Sequence, residues 1–360
     1  MAENNNTTNT TCTGTVRDSV KQYYGKDLKT QSDCQSGINC LKESPPLAKH
    51  VQEAFAMVHE DVTLKYFGCG PVIPQALTGI DVLDLGSGSG RDCFALSKLI
   101  GPSGHVVGID MTEEQLDYSR SFLDYHMQKC GYSKPNVDFR FGYIEKLGDA
   151  GIKDNTFDLV ISNCVICLCP DKQAVLAEAC RSLKDGGEMY FSNIYTDSPQ
   201  SEKVKNDHVL WGEGMGGALQ WQELYRLAET VGFSRPRLVT ATMVDTSKFD
   251  HLLDGAKFVS VTYRLFKLPK DLQPVSRATY LGGIESCEDK IEFDYATTFK
   301  KDVSVVVDAE LATILASSRF SKFFRLTEAA NSTSETADPK VDPVQWAEKR
   351  GLKKNLCGSG

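Results

Sequence analysis

Short apolar runs alternate with amphipathic segments through the middle of the chain, from residue 81 to residue 193. The runs predict strands at Asp81–Leu85, Val106–Ile109, Val137–Phe141, Phe157–Ser162 and Glu188–Asn193. Helical spacing predicts helices at about Asp92–Ile100, Thr112–Lys129 and Lys172–Leu183. Such alternation favours an α/β fold with a doubly wound, mostly parallel sheet, in which ligands lie at the carboxyl ends of the strands.

The pattern changes on both sides of this region. Residues 1–45 are polar and predict a flexible arm with one short helix at Val16–Tyr24. Pro46 then opens a helix whose apolar residues recur at helical spacing as far as Val62, and the sheet domain is predicted to occupy residues 46–195. We expect a glycine-rich insertion and a helix over 196–235, a smaller α+β lobe over 236–326 and a loose tail over 327–360.

Composition narrows the class of protein. The 360 residues are 41% hydrophobic, enough for a full core, and no apolar run is long enough to cross a bilayer. The net charge of −8, without a block of Lys and Arg, argues against nucleic acid as a partner. No signal-peptide pattern is present, so we expect a cytoplasmic protein without membrane association, whose twelve cysteines mostly remain thiols.

The first predicted strand ends in a glycine loop, Asp84-Leu-Gly86-Ser-Gly88-Ser-Gly90, that leads directly into a helix. Glycines allow positive φ angles and close approach of the backbone, and the N-terminus of a helix attracts polar ligand groups. The loop therefore predicts a nucleotide-like cofactor. A dinucleotide motif requires glycine next, whereas this chain has Arg91, so NAD is the weakest of the cofactor hypotheses.

Two acidic residues refine this hypothesis. Asp110 ends the second strand, 20 residues after Gly90, where a carboxylate accepts hydrogen bonds from the ribose hydroxyls of an adenosyl group. Asp84 precedes the first glycine and suits a cofactor with a cationic methionine tail better than one with a phosphate. S-adenosylmethionine fits both carboxylates.

Further cofactor contacts are predicted from position alone. Met111 follows Asp110, and Ile144 and Glu145 follow the third strand, where an apolar side chain packs on adenine and a carboxylate accepts its amino group. Asn163, at the end of the fourth strand, is expected to touch the methionine part.

Five strings of the chain are long and unusual. They are Tyr66–Gly70 (YFGCG), Val82–Cys93 (VLDLGSGSGRDC), Gly108–Thr112 (GIDMT), Ser162–Ile166 (SNCVI) and Trp211–Trp221 (WGEGMGGALQW). Together they closely resemble arsenite S-adenosylmethionine methyltransferases, and the resemblance extends from about Val16 to Leu326.

The resemblance implies a class I S-adenosylmethionine methyltransferase core, trivalent arsenicals as substrates and a thiol reductant such as glutathione or thioredoxin. It also implies four arsenic-related cysteines, which fall on Cys40, Cys69, Cys164 and position 214. Position 214 is glycine in this chain, so the fourth thiol is absent.

Thiolates are the natural ligands of a soft trivalent centre, and alignment of the arsenic lone pair with the donated methyl group supplies much of the rate. The aromatic rings of Tyr66 and Phe67 are expected to provide an electron-rich surface for the sulfonium. Two thiols suffice for a monomethylated arsenical, whereas arsenite requires three. We therefore predict that Cys69 and Cys164 form the working pair, that Cys40 joins them from a mobile loop, and that the methylated substrate is favoured.

Alternatives remain open at this point. Cys164 and Cys167 have CxxC spacing, which suits a zinc ligand pair, a redox disulfide or simple packing, and Cys169 lies next to them. The whole chain also fits an S-adenosylmethionine-dependent methyltransferase of a quinone, sterol or lipid, or a non-enzymatic binder of soft metals.

Overall fold

The computed structural model describes residues 16–24, 28, 47–329, 332–336 and 338–350, and the backbone of 353–354. Cys40, the third predicted arsenic ligand, lies outside the described residues, so its predicted role stays a prediction. Within the described residues, no helix combines the length and the apolar character that crossing a membrane requires.

The strands are β1 (Asp81–Leu85), β2 (His105–Asp110), β3 (Val137–Phe141), β4 (Phe157–Asn163), β5 (Leu183–Thr196), β6 (Leu219–Gln220), β7 (Arg237–Val244), β8 (Phe258–Phe266), β9 (Ser276–Tyr280), β10 (Lys290–Asp294), β11 (Thr297–Lys300), β12 (Ser304–Val307), β13 (Phe324–Glu328) and β14 (Lys353–Lys354).

The helices are α1 (16–24, whose last two residues are π-helical), α2 (Lys49–Ala56), α3 (Glu60–Leu64), α4 (Arg91–Ile100), α5 (Glu113–Ser121), α6 (Leu123–Cys130), α7 (Lys172–Ser182), α8 (Glu202–Lys205), α9 (His208–Gly212), α10 (Trp221–Val231), α11 (Ala309–Ser317) and α12 (Pro343–Arg350).

The main sheet has the order β14-β7-β8-β5-β4-β1-β2-β3, with β6 beside β5. Strands β5, β4, β1, β2 and β3 run parallel, whereas β8 is antiparallel to both β5 and β7. Beginning at β1, the chain adds β2 and β3 on one side and then β4 and β5 on the other. The switch point of the sheet therefore lies between β1 and β4, and the predicted fold class is confirmed.

Apolar residues bury both faces of the central strands, as parallel sheets covered by helices require. Val82, Leu83 and Leu85 of β1 are completely buried. Pairing of Leu85 with Ile109 on one side and with Ser162 on the other brings the carboxyl ends of β1, β2 and β4 together. Three loops consequently emerge at one edge of the sheet.

Two helices predicted as continuous are each broken. The helix from Pro46 is divided into α2 and α3 because His59 leaves helical geometry and its side chain accepts a hydrogen bond from the backbone of Asp61. The helix predicted at Thr112–Lys129 is divided at Phe122, which separates α5 from α6.

The predicted lobe boundary at residue 236 is wrong, because β7 and β8 continue the main sheet. The separate lobe consists of β9 to β13 and α11, around its own apolar core. The tail predicted as loose contains β13 in part and α12, which packs on β7 and β8. A buried carboxylate joins sheet and lobe, since Glu188 in β5 pairs with Arg264 in β8 and with Arg319 after α11.

Candidate functional site

A cleft opens at the carboxyl ends of β1, β2 and β4, at the switch point of the sheet. The sequence-predicted residues that line it are Tyr66, Asp84, Gly86, Gly88, Asp110, Met111, Ile144, Glu145, Asn163 and Cys164. Gly90 does not line the cleft. It precedes α4 with a φ of 85°, and a side chain there would collide with Phe139.

The glycine loop is held by the neighbouring strand. The N–H groups of Gly86 and Ser87 both donate to the carbonyl of Ile109, at 2.8 and 3.0 Å. A Cβ atom on Gly88 would meet no described atom within 4 Å, because that residue faces the open cleft. The loop therefore presents bare backbone to a ligand.

Each carboxylate oxygen of Asp110 accepts one backbone hydrogen bond, one from the glycine loop and one from the start of α5. Its Oδ2 accepts the N–H of Gly88 at 2.9 Å, and its Oδ1 accepts the N–H of Thr112 at 2.8 Å. Burial raises the pKa of Asp110, and the backbone donors act in the opposite direction by stabilising the charge. The carboxylate is thus fixed in place at the edge of the cleft.

Asp84 lies deeper, at the base of the cleft. Burial, and then the negative charge of Asp92, raise the pKa of Asp84 to about 8, although the Cys93 thiol donates to it at 3.2 Å. A carboxyl group with a raised pKa in a closed site is suited to a cationic ligand, because the ligand charge offsets the cost of ionising it.

Two polar atoms in the wall of the cleft remain without partners. Ser87 Oγ and Gln115 Oε1 are buried and make no hydrogen bond within the described residues. Buried polar atoms are normally paired, so these two indicate groups that a polar ligand satisfies. Together with the open glycine loop and the carboxylates of Asp84 and Asp110, they fit an adenosyl cofactor with an amino acid tail.

Helix α1 covers one side of the cleft, which its sequence did not indicate. Arg17 bonds to Glu145 at 3.1 Å, and Lys21 Nζ donates to the Tyr143 hydroxyl at 2.6 Å. Both bonds lie beside the predicted adenine position.

The other end of α1 contacts the segment before α10. The Tyr23 hydroxyl donates to Glu213, and the Tyr24 hydroxyl donates to the carbonyl of Gly212 at 2.7 Å. The Tyr24 ring packs edge-on against Phe67, 5.7 Å between centroids. Helix α1 therefore connects the adenine side of the cleft with the glycine-rich insertion.

Cys69 and Cys164 meet as a disulfide, with 6.0 Å between their Cα atoms and 95 positions between them in the chain. Cys164 directly follows β4 and has a φ of 56°, and its N–H donates to the carbonyl of Ser192. Cys69 is buried, whereas Cys164 lines the cleft. Two of the three predicted arsenic ligands are thus brought together beside the cofactor cleft.

Asn163 positions the segment that carries Cys69. Its Oδ1 accepts the N–H of Cys69 at 2.9 Å, and its Nδ2 donates to the carbonyl of Gly70 at 2.7 Å and to Asp92 at 3.0 Å. Asn163 was expected to touch the methionine part of the cofactor. It lines the cleft, but its amide is engaged with the Cys69 segment.

Arg91, which weakened the NAD hypothesis, has a structural role. Its guanidinium pairs with Asp92 and stacks on the ring of Tyr66. Tyr66 in turn donates its hydroxyl to Gly70 at 2.7 Å. These contacts fix the aromatic wall of the cleft next to Cys69.

Cys167 lies in a 3-10 turn (Ile166–Leu168) after Cys164, Cys169 directly follows that turn, and both residues are buried. Burial raises the pKa of Cys167 to about 11, and it raises the pKa of Cys169 well above the ordinary value. Across the part of the chain that the structure describes, no three His, Cys, Asp or Glu side chains converge as metal ligands. The CxxC pair therefore gains no support as a zinc site.

Comparison with known proteins gives two family matches. Residues 77–232 match a methyltransferase domain, and residues 273–360 match the arsenite methyltransferase C-terminal domain. Arsenite methyltransferase from Homo sapiens is 46% identical over 354 residues, which cover 95% of this chain and 94% of the human protein. Arsenite methyltransferase from Aquipseudomonas alcaligenes is 47% identical over 70% of this chain and 72% of its own length.

A solved structure extends the similarity to three dimensions. The arsenic (III) S-adenosylmethionine methyltransferase CrArsM from Chlamydomonas reinhardtii superposes with a TM-score of 0.76 and 39% identity. The match covers 82% of this chain and all of the algal chain.

Proposed function

The chain belongs to the arsenite methyltransferase family and uses S-adenosylmethionine to methylate arsenic; on this premise we propose that Cys69 and Cys164 hold the trivalent arsenic atom and that a methylated arsenical is the preferred substrate. The observation that carries the proposal is the convergence of these two sulfurs at the end of the cofactor cleft. Segments 95 positions apart would not meet there by chain proximity alone.

The cofactor, when bound, supplies a methyl group on a positively charged sulfur. The chain's own residues bind and orient it. Among the residues that line the cleft, Asp110 would hold the ribose, Glu145 and Ile144 would hold the adenine, and Asp84 would hold the charged amino acid tail. Gly86 and Gly88 allow the backbone to approach, while Tyr66 and Phe67 form an aromatic wall that excludes water near Cys164.

The cysteine pair supplies the two electrons that the reaction requires. When the arsenic lone pair takes up a methyl group, arsenic changes formally from trivalent to pentavalent. Two thiolates return two electrons to arsenic by joining as a disulfide, and the convergence of the Cys69 and Cys164 sulfurs supports their role as that pair. A dithiol or glutathione-type reductant then restores both thiols by exchange.

Substrate preference follows from the number of sulfurs. A monomethylated arsenical has two exchangeable valences, which Cys69 and Cys164 fill. Arsenite has three, and position 214 in the neighbouring segment carries no side chain. One valence of arsenite therefore lacks a sulfur partner in this pair, and the first methylation is slower than the second.

The test incubates the reduced protein with S-adenosylmethionine, a thiol reductant and either arsenite or methylarsonous acid, and separates the arsenic species over time. We expect faster turnover of methylarsonous acid, and a Gly214→Cys variant is expected to raise the arsenite rate. Cys69→Ser and Cys164→Ser should each abolish methylation, whereas Cys180→Ser, in α7 and outside the cleft lining, should not. Equal or faster turnover of arsenite by the unmodified protein would refute the preference.

A further inference from the structure

We propose that a second cavity, between the main sheet, the segment that carries Cys69 and the lobe of β9 to β13, binds the thiol that reduces the Cys69–Cys164 bond. The ligand is a small peptide thiol of the glutathione class. The inference rests on the proposed function, in which this bond is the oxidised product of each turnover. It adds where the reductant binds and which of the two sulfurs it attacks.

The second cavity is separate from the cofactor cleft and has a volume of about 900 Å³, within the range of small-molecule sites. Strands β5, β7 and β8 supply part of its lining, and the segment from Cys69 to Thr78 supplies another part. The separate lobe contributes Gly283 to Cys287. A tripeptide fits a space of this size.

The disulfide lies between the cleft and the second cavity. Cys164 lines the cleft, whereas Cys69 lines the second cavity. Thiol–disulfide exchange proceeds by attack of a thiolate on one sulfur, in line with the bond that breaks. A thiol in the second cavity therefore reaches Cys69, and Cys164 is the sulfur that leaves. Attack on Cys164 would require passage through the cleft that holds the cofactor.

A row of hydroxyl side chains on the sheet leads towards Cys69. Thr240 in β7 pairs with Thr262 in β8, which pairs with Ser192 in β5, and all three line the second cavity. Ser192 in turn pairs with Asn163, whose amide holds the Cys69 nitrogen. Directly paired residues present their side chains on the same face of a sheet. Because hydroxyls both donate and accept hydrogen bonds, this row suits the amide groups of a peptide.

The charged residues of the lining match a peptide with two carboxylates and one ammonium group. Lys322 and Arg350 are exposed and line the cavity, and each stacks on a neighbouring aromatic ring. Glu285 is an exposed carboxylate of the same lining, while Glu292 pairs with Lys290. Two cations are thus present for two carboxylates, and one acid is present for the ammonium group.

Burial of the target sulfur favours a small thiol over a protein. Cys69 is 5% exposed, so a thiol has to enter the cavity to touch it. A redox protein presents its thiol at its own surface, which the walls of the cavity would keep away from Cys69.

Reduction consists of two exchanges. The peptide thiolate bonds to Cys69 Sγ, the Cys69–Cys164 bond breaks, and Cys164 leaves as a thiolate with the electron pair of that bond. A second peptide thiolate then bonds to the sulfur of the first peptide, and Cys69 leaves as a thiolate. Two peptide thiols are oxidised to one disulfide, and their two protons pass to Cys69 and Cys164.

The route is tested on the oxidised full-length protein without arsenic. Glutathione is added, exchange is stopped with acid and an alkylating reagent, and mass spectrometry locates the mixed disulfide. We expect glutathione on Cys69, a rate that saturates with glutathione concentration, and the same rate with or without saturating S-adenosylhomocysteine. Glutathione on Cys164, or a rate that S-adenosylhomocysteine abolishes, would overturn the route.

Charge variants test the binding site. The double variant Lys322→Glu/Arg350→Glu should slow reduction by glutathione at least about threefold and leave reduction by uncharged 2-mercaptoethanol unchanged. Lys129→Glu is the matched control, because Lys129 is exposed and stacks on Tyr125 but lines neither the cleft nor the second cavity. Equal glutathione rates in the double variant and the control, or saturable reduction by thioredoxin but not by glutathione, would overturn the proposed ligand.

These measurements separate this proposal from the proposed function, because no arsenic is present. Glutathione on Cys164, together with the expected arsenic methylation, would overturn only the role of the second cavity. Turnover without reductant that leaves both Cys69 and Cys164 as thiols would overturn the proposed electron transfer from the pair and the role of the second cavity together.

Discussion

The side-chain amide of Asn163 holds the backbone of Cys69, with Asn163 Oδ1 2.9 Å from the Cys69 nitrogen. The next residue in the chain, Cys164, is bonded to the Cys69 sulfur. Two consecutive residues at the end of β4 therefore fix both the backbone and the side chain of a cysteine from a distant segment. This arrangement makes Asn163 a positioning residue for the proposed arsenic site.

Asn163→Ala should reduce arsenic methylation by at least about tenfold, while binding of S-adenosylmethionine weakens much less. The variant removes the acceptor of the Cys69 N–H and one of the two donors to the Gly70 carbonyl, at a cost of about 1–3 kcal/mol in unfolding free energy. Steady-state kinetics, calorimetry of cofactor binding and urea unfolding measure the three effects. Asn136→Ala is the control, because that buried amide bonds to Ser97 and Gly101 away from the cleft. Equal kinetic losses in both variants would contradict the positioning role.

Cofactor binding should strengthen as pH rises towards 8. Burial and the charge of Asp92 raise the pKa of Asp84 to about 8, so most of this carboxyl group is protonated at pH 7 in the free protein. A cationic ligand favours the ionised form, and binding therefore releases a proton until the pH exceeds the pKa of the free protein. Calorimetry in two buffers of different ionisation enthalpy measures the release. The Asp84→Asn variant should release no proton when the cofactor binds. An affinity of the unmodified protein that does not change between about pH 6 and pH 8 would contradict the role of Asp84 as the partner of the cationic group.

Tyr23→Phe should speed dissociation of the cofactor about three- to tenfold, because the hydrogen bond from Tyr23 to Glu213 fastens α1 across the cleft. Stopped-flow measurement of cofactor release provides the rate. Tyr132→Phe removes a hydroxyl that donates to Ser97, away from the cleft, and should leave the rate unchanged. Identical dissociation rates in the two variants would show that α1 does not retain the cofactor.

Gly214→Ala should lower the unfolding free energy by about 1–3 kcal/mol, because Gly214 has a φ of 78° and a Cβ there crowds Cys167. Part of the loss should be recovered in Gly214→Ala/Cys167→Ala, since the smaller residue at 167 removes the crowding. Urea unfolding of the reduced single and double variants gives the coupling energy, expected to exceed about 0.5 kcal/mol. Strictly additive losses would mean that the two positions do not touch.

Glu188→Gln should lower the unfolding free energy by about 3–5 kcal/mol, because Arg264 and Arg319 would then share no buried counter-charge. Affinity for S-adenosylmethionine in the folded fraction should not change, since Glu188 does not line the cleft. Glu292→Gln removes an exposed partner of Lys290 and is expected to change stability by less than about 0.5 kcal/mol. A similarly small effect of Glu188→Gln would show that the ion pairs of Glu188 with Arg264 and Arg319 contribute little to the unfolding free energy.

The parallel strands and the cofactor cleft could be predicted from sequence because their signals are local. The apolar runs at Asp81–Leu85 and Val137–Phe141 match the observed strands residue for residue. The glycine loop and Asp110 lie within about 30 residues of one another, so their meeting follows from the order of strand, turn and helix.

Features that depend on distant contacts could not be predicted in this way. The amide of Asn163 bonds to a segment 94 residues earlier, and nothing in either string indicates this contact. Helix α1 was predicted as a helix, but its position over Glu145 and Glu213 depends on side chains more than a hundred residues away. The sequence predicts a separate lobe for β7 and β8, because the pairing of β8 with β5 and of β7 with β8 leaves no local signal in the sequence.

In the proposed cycle the Cys69–Cys164 disulfide forms at each turnover, so thermal stability distinguishes molecules that have just reacted from molecules whose thiols have been reduced again. The bond joins residues 95 positions apart. In the chain-entropy model, a closed loop of that length lowers the entropy of the unfolded chain and raises the free energy of unfolding by about 4–5 kcal/mol. A molecule that has just completed a turnover is therefore harder to melt than one whose thiols have been restored. A sample that contains both forms should show two unfolding transitions on heating. The relative amplitude of the higher transition gives the fraction of molecules that are still oxidised.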